Sequence, residues 1–303
     1  MKSVCNIAGF LKPGAAPSPA AAPSRLGAEM CKELKTKVLR LLPPTSNGPS
    51  VQQGGQTDGA EILSYTVKAL KEGHVVAVPT DTIYGLACLA QNSEAIRKTY
   101  DIKGRNGQKP LAICVGETRD IYKYCKVPVK EPLLADLLPG PVTLVFERSE
   151  VLNTDLNPFT SVSPLLQVGG TENKASNKCL IHDCQSSVVY VCPCAPQLVG
   201  VRIPDHAFMR RLCQMCGEPL ALTSANISSH TSTVAVHEFQ ELWPKLAVVV
   251  DGGPIGDQSR LGSTVVNLSV RGKYSIIRPG CALSSTVDVL EHKYGLSGDL
   301  GEE

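Results

Sequence analysis

The sequence predicts an α/β protein with a helix-covered sheet, and three observations carry that prediction. Short apolar runs of strand length, such as Leu111–Val115 and Val248–Asp251, alternate with segments of helical period. The composition is that of a globular chain: 303 residues, 43% hydrophobic, with 22 Pro and 26 Gly. No run approaches the roughly 18 uninterrupted apolar residues of a spanning helix, so an integral membrane segment is not expected.

Residues 1–57 stand apart, with Ala/Pro/Ser runs and no acidic residue before Glu29. They read as a disordered or transit-like segment, in which Lys2, Lys12 and Arg25 are basic and Met30–Leu42 is expected as a basic helix. Cytoplasm and mitochondrion are the expected compartments. The folded domain is expected over 58–292, with 293–303 as a tail.

Ile62, Tyr65 and Ala69 recur at helical spacing, and Gly73 stops that helix before a strand at His74–Val78. Asn92-Ser93-Glu94 offers an N-cap with an early carboxylate, leading into a helix through Ile96 and Tyr100. Leu111–Val115 is the next strand. Further strands are expected at Val142–Phe146, Val199–Ile203, Leu220–Leu222, Val248–Asp251, Ser263–Asn267 and Tyr274–Ile277, and helices at Ala207–Met215, Val236–Leu242 and Thr286–Tyr294. Ser161–Gln197 breaks the pattern as an irregular insertion that collects Cys179, His182, Cys184, Cys192 and Cys194, enough donors for zinc but without paired Cys-x-x-Cys knuckles. The codons for Val-Cys-Pro-Cys-Ala-Pro-Gln fit a pyrimidine-rich tract ending in CAG, so a retained intron is one expectation for it.

A net charge of +2 is too small to attract polyanions over the whole surface, so phosphate binding has to come from local clusters. The 12 Cys stand mostly singly in apolar segments and are expected as reduced thiols, the Cys213-x-x-Cys216 pair included, as buried small hydrophobes. Walker A, Gly-x-Gly-x-x-Gly, Gly-x-Ser-x-Gly and His-Glu-x-x-His patterns are all absent from the sequence. Polar clusters instead follow the apolar strands, where α/β sheets commonly bind ligands. Thr80 and Thr82 place hydroxyls on one side of an extended segment. Lys103-Gly104-Arg105 and Lys109 gather cations that suit a polyphosphate. Ser224, Asn226 and Ser232 follow a short strand. Arg202 and Arg278 each end a strand before a Pro, and Ser263 opens one. Taken singly, each cluster fits a turn or a solvated helix end as well as it fits a ligand.

Together and in order, PTDTIYGL, KGR…KPL, LPGPVTLV, VGVRIPDH, LTSAN, RLGSTVV and IIRPG resemble the YrdC/Sua5 family of threonylcarbamoyl-AMP synthases over about Ala60 to Leu290. The resemblance implies a single YrdC-like domain, a twisted mixed sheet flanked by helices around a large open cleft. It implies synthesis of threonylcarbamoyl-AMP and pyrophosphate from L-threonine, bicarbonate or CO2, and ATP with Mg2+, for the t6A modification of tRNA. It places Thr82, Arg202 and Ser263 on L-threonine, and Lys103, Arg105, Lys109, Ser224, Asn226, Ser232 and Arg278 on ATP. No residue is implied as a nucleophile, and no metal is held by the protein alone. Cys114 stands where some relatives carry a threonine-contacting His. A KEOPS-type threonylcarbamoyl-transferase complex and tRNA or double-stranded RNA are the implied partners. The rival reading is a non-catalytic RNA-binding module using the same basic cleft; with aromatics at 5%, stacking platforms for bases are few.

Overall fold

In the computed structural model, which describes residues 35–41, 59–104, 110–156, 197–257 and 259–298, the alternation of apolar runs and helical periods becomes one mixed sheet with helices packed on it. The strands of its first half are β1 (Lys37–Arg40), β2 (Val76–Val78), β3 (Gly85–Leu89), β4 (Ala112–Cys114), β5 (Cys125–Lys126) and β6 (Val142–Arg148). Its second half supplies β7 (Leu198–Arg202), β8 (Leu220–Ser224), β9 (Val248–Asp251), β10 (Thr264–Asn267), β11 (Lys273–Arg278) and β12 (Ser297–Gly298). The spatial order is β1-β9-β2-β3-β8-β4-β7-β6-β10-β11-β12, with β5 beside β6. Parallel pairs (β9 with β1 and β2, β4 with β7, β6 with β10) are mixed with antiparallel ones (β3 with β2 and β8, β4 with β8, β6 with β7).

Six α-helices are described: α1 (Gly59–Lys71), α2 (Ser93–Ile102), α3 (Thr118–Tyr124), α4 (Glu131–Leu137), α5 (Ala207–Cys216) and α6 (Leu283–Asp288). Asn92 caps α2 as its position predicts, its side chain accepting from the Ala95 amide at 3.0 Å. Cys213 and Cys216 both lie on the buried face of α5, which packs on Leu220, Leu222 and Cys114 of the sheet. Burial pushes the Cys216 thiol up to about 11, so this pair fills space as unreactive thiols.

The structure corrects several sequence expectations. No helix covers the described part of Met30–Leu42: residues 37–40 form β1, parallel to β9, with Leu39 buried at 5% exposure. Val38 favours a strand and Leu39 a helix, but the segment finds partner backbone at the edge of the sheet, and that tertiary pairing overrides a weak helical pattern. Tyr65, expected on the apolar face of α1, is 40% exposed and lies under the ammonium of Lys37, 4.1 Å from the ring centre. The Val236–Leu242 helix is a 3-10 stretch, Val236–Lys245, broken at Phe239. β3, α3 and α4 were not legible, and β12 falls in the expected tail. The other residues of 1–57 and nearly all of the 161–197 segment, with its Cys/His cluster, lie outside the described residues.

β1 carries a prediction. Removing residues 1–57 deletes a strand and exposes β9, whereas removing 1–33 spares it. Burying one Leu is worth ~1.5–3 kcal/mol, and each kcal/mol moves the melting temperature of a domain this size by ~2–4 °C. The longer truncation is therefore expected to melt ~5 °C or more below the shorter one. Equal melting temperatures by calorimetry would show that β1 contributes nothing.

Candidate active site

Buried polar side chains locate the site. Thr66, Thr99 and Thr286 are structural, each returning its hydroxyl to a carbonyl four residues back in its own helix. The remainder are Thr80, Thr82, Arg202, Asn226, Thr233 and Ser263 in loops or at strand ends, Lys103 at the end of α2, and Thr143 and Thr264 in β6 and β10. Burying such groups is costly unless they are bonded, so each calls for a partner.

Thr82, Arg202, Ser263 and Arg278 fall into one cluster. The loop after β2 folds over Thr80, whose hydroxyl donates to the Ile83 carbonyl at 2.7 Å and accepts from the Thr82 amide at 3.1 Å. This turns Thr82 toward Arg202, with its Oγ1 3.4 Å from both terminal guanidinium nitrogens. Arg202 ends β7 and is 5% exposed. Its Nη2 donates to the Asp81 carboxylate, while its Nε is buried without a partner. Arg278 ends β11 and donates through Nη2 to the Ser263 carbonyl at 2.8 Å. Ser263 Oγ lies 2.7 Å from Thr143 Oγ1. The two arginines are close enough to feel each other. Burial first, and then the charge of Arg202, holds the Arg278 guanidinium below the ordinary arginine range. Among the described residues no carboxylate pairs with Arg278.

Close backbone approach shapes this cluster at two glycines. A Cβ on Gly280 would lie 2.3 Å from the Thr264 amide nitrogen, and one on Gly256 (φ +69°) 2.1 Å from the Thr82 carbonyl oxygen. The RPG turn and the loop after β9 therefore press directly on the loops that carry Ser263 and Thr82. Tyr84 fastens the second of these contacts, donating to the Gly253 carbonyl at 2.7 Å and accepting from the Gly252 amide at 3.0 Å. Burial first pushes its phenol up to about 12, so it stays a donor at neutral pH.

A second cluster holds Lys103, Ser224 and Asn226. Lys103 is expected on phosphate, but its side chain is 0% exposed and its ammonium points into the protein. It donates to the Ser224 carbonyl at 2.6 Å, to Asn226 Oδ1 at 3.0 Å and to the Asn226 carbonyl. Its aliphatic stem reaches inward from the end of α2 because the turn after β8 presents these carbonyls to it, and a buried ammonium takes every acceptor in reach. Lys103 thus secures the loop that bears Ser224 and Asn226. The Ala225 amide donates to the Tyr84 carbonyl at 2.8 Å and joins this loop to the first cluster. Arg105 and Lys109 lie outside the described residues. Cys114 is buried among the side chains that face α5, with its sulfur 3.6 Å from that of Cys213, and is packed into the core.

Ser232 is half-buried, and its carbonyl accepts from Arg260 at 3.0 Å. Arg260 also grips Glu238 with both terminal nitrogens, at 2.7 and 2.8 Å. The hydrogen bond from Arg260 holds the Glu238 carboxyl at about 2, against an ordinary 4.5. A depressed folded-state value stabilises the fold above the unfolded value and loses that contribution as pH falls. The wild type should therefore shed this part of its stability between pH 4.5 and about 2. Glu238→Gln should show a shallower fall of melting temperature across that window, and an unchanged slope would mean that the pair is not coupled to folding. Sequence reasoning missed Asp81, Arg260 and Glu238, because each acts on a residue distant in the chain.

Comparisons with known proteins show the family and the fold. The family model described as telomere recombination (Sua5, YciO, YrdC) matches residues 68–162 and 179–280, leaving 163–178 unmatched inside the segment read as an insertion. A human protein named threonylcarbamoyl-AMP synthase is 51% identical over 264 residues, 86% of this chain and 81% of that protein. A mouse protein of the same name is 53% identical over 245 residues, 80% of this chain and 75% of that protein. Among solved structures, Pyrococcus abyssi Sua5 complexed with L-threonine superposes with a TM-score of 0.61 at 22% identity, over 88% of this chain and 64% of that one. Escherichia coli YciO superposes with a TM-score of 0.57 at 15% identity, over 82% of this chain and 96% of that one. These structural likenesses concern the fold.

Proposed function

The chain belongs to the Sua5/YciO/YrdC family and is an enzyme of the nucleotidyltransferase type, and on that premise we propose that it is an L-threonylcarbamoyladenylate synthase. Its substrates are L-threonine, bicarbonate or CO2, and ATP. The observation that carries this reading is the pair of guanidiniums, Arg202 and Arg278, held near each other by hydroxyl-bearing loops. Arg202 is buried, whereas Arg278 keeps an exposed side although the protein around it lowers its proton affinity, and two neighbouring cations suit two anionic ligands, here an amino-acid carboxylate and a polyphosphate.

The chemistry asks little else of the protein. The threonine amine adds to CO2 and loses a proton to give a carbamate. A carbamate oxygen then attacks the α-phosphorus, the bond to the β-phosphate bridging oxygen breaks, and pyrophosphate leaves. No side-chain nucleophile enters that balance. The protein's part is to hold the two anions in line and offset the charge that builds up. Arg202 takes the threonine carboxylate, with Thr82 and Ser263 beside it. Arg278 and Ser224, with Asn226 and Ser232 in the same wall, serve the nucleotide. Ser263 and Arg278 touch, so the two subsites share a boundary at the place where the carbamate must meet the phosphate. Among the described residues no three His, Cys, Asp or Glu side chains converge on one point. Mg2+ would then be held by phosphate oxygens and water, where it supplies further charge neutralisation.

Pyrophosphate release from ATP by the purified protein tests the reading. It is expected to need both L-threonine and bicarbonate, and release that ignores either would reject it. Arg105→Ala should raise the ATP KM or lower kcat by about tenfold, ~1.4 kcal/mol, without changing the melting temperature. Unchanged kinetics would remove Arg105 from the phosphate site. Downstream, the product's mixed anhydride suits transfer to tRNA in t6A formation, with a KEOPS-type transferase as the consumer. The proposed compartments are the cytoplasm and mitochondrion, and fractionation of a tagged chain with and without residues 1–33 tests that assignment.

A further inference from the structure

The carboxylate of Asp81 has no place in the account of the two substrates, yet its side chain is only 9% exposed and lies against the arginine assigned to threonine. One oxygen accepts from Arg202 Nη2, and the other accepts from the Asp205 amide at 2.9 Å. Asp81 therefore bridges two loops separated by more than a hundred residues of sequence, the turn after β2 and the turn after β7. Its effect on Arg202 is visible in what remains unspent. Nη1 meets only Thr82 Oγ1 at 3.4 Å, a long contact, and Nε is buried without an acceptor. A buried donor left unmade is costly, and such a group is tolerated where a ligand supplies the missing acceptor.

We propose that Asp81 is a positioning residue for substrate: it anchors one corner of the Arg202 guanidinium to the turn after β7, so that the remaining donors are held ready for the carboxylate of the amino acid. The inference rests on the assignment of Arg202 to threonine made above. Asp81 acts through Arg202 and does not itself need to touch the reacting atoms. Geometry is what it supplies. An unanchored arginine side chain has several rotamers, and threonine binding would have to select one of them. The charge balance points the same way. Arg202 and Arg278 less Asp81 leave one net positive charge at this wall, which keeps the pair from repelling each other apart before an anion arrives.

Asp81→Asn keeps the shape but can accept from only one of its two donors, and Asp81→Ala removes both bonds. In threonine-dependent pyrophosphate release, both are expected to raise the threonine KM by about tenfold or more, with the ATP KM within about twofold of wild type. Because Asp81 acts through Arg202, adding Asp81→Asn to Arg202→Ala should leave the threonine KM of the single Arg202 variant unchanged. A merely structural Asp81 would instead add its own penalty in the double variant and raise both KM values together. Either result would overturn the proposal, as would a threonine KM within twofold of wild type in Asp81→Asn. If Asp81→Ala does not fold, Asp81→Asn and the double variant decide alone. Wild-type pyrophosphate release that is independent of threonine is a different failure: it removes the assignment of Arg202, and the proposal falls with it.

Discussion

Arg202→Ala is expected to cut kcat/KM for L-threonine by roughly 30-fold or more, while the KM for ATP stays within a few-fold of wild type. The size follows from burial. Arg202 is 5% exposed, and removing one partner of a buried, hydrogen-bonded charge pair costs ~2–5 kcal/mol, the lower end of which is about 30-fold in an equilibrium. The selectivity follows from placement, since Arg202 touches Thr82 and Asp81, and the ATP-assigned Ser224 and Asn226 belong to a different loop. Steady-state kinetics with each substrate varied in turn reads both quantities. Equal loss of ATP and threonine affinity would make Arg202 a residue that shapes the whole cleft. Arg202→Ala also leaves Asp81 buried without its cation, so a fall in melting temperature should accompany the kinetic loss.

The second large effect is expected at Lys103, and there stability falls first. Lys103→Met keeps most of the aliphatic stem and removes the ammonium, so the Ser224 carbonyl, the Asn226 carbonyl and Asn226 Oδ1 lose a shared donor inside the protein. Unsatisfied buried acceptors cost ~1–3 kcal/mol each, and with partial relaxation the loss is expected to be ~3 kcal/mol. At ~2–4 °C per kcal/mol, melting should fall by ~6–12 °C. Catalysis should fall as well, through a loosened loop, and should partly recover at low temperature. A phosphate-gripping lysine on the cleft surface would behave in the opposite way, raising the ATP KM with no change in melting. Calorimetry alongside the ATP KM distinguishes the two, and an unaltered melting temperature would return Lys103 to the phosphate.

The family and the fold class were legible because they are written locally. PTDTIYGL, LTSAN and RLGSTVV are contiguous strings, and the strands expected at Val142–Phe146 and Val248–Asp251 are largely apolar runs that need no partner to be recognised. Asn92 announced a helix start because a cap is a relation between residues three apart, and Gly73 announced a stop because a left-handed φ of +78° is a property of one residue. The short helices at Thr118–Tyr124 and Glu131–Leu137 were not legible, since two turns give too little period to separate a helix from a loop.

The sequence by itself determined the candidates for binding two anions: the hydroxyls of Thr82 and Ser224 after apolar strands and of Ser263 at the opening of one, with Arg202 and Arg278 at strand ends and Lys103 at the end of a helix. Only the tertiary structure decided which partners each one meets. Lys103 faces inward because carbonyls of a loop some 120 residues away in sequence reach it first. Cys114 packs on Cys213 because its strand position points it at α5. Asp81 is tied to Arg202 because the loop after β2 reaches past β3, β8 and β4, which separate the two strands in the sheet, to the end of β7. A strand's composition fixes that it will be buried, but its neighbours are fixed by sheet order and twist, and those depend on the packing of the whole chain. Charge and hydrogen-bonding capacity are therefore readable residue by residue, whereas the partner that uses them is a property of the fold.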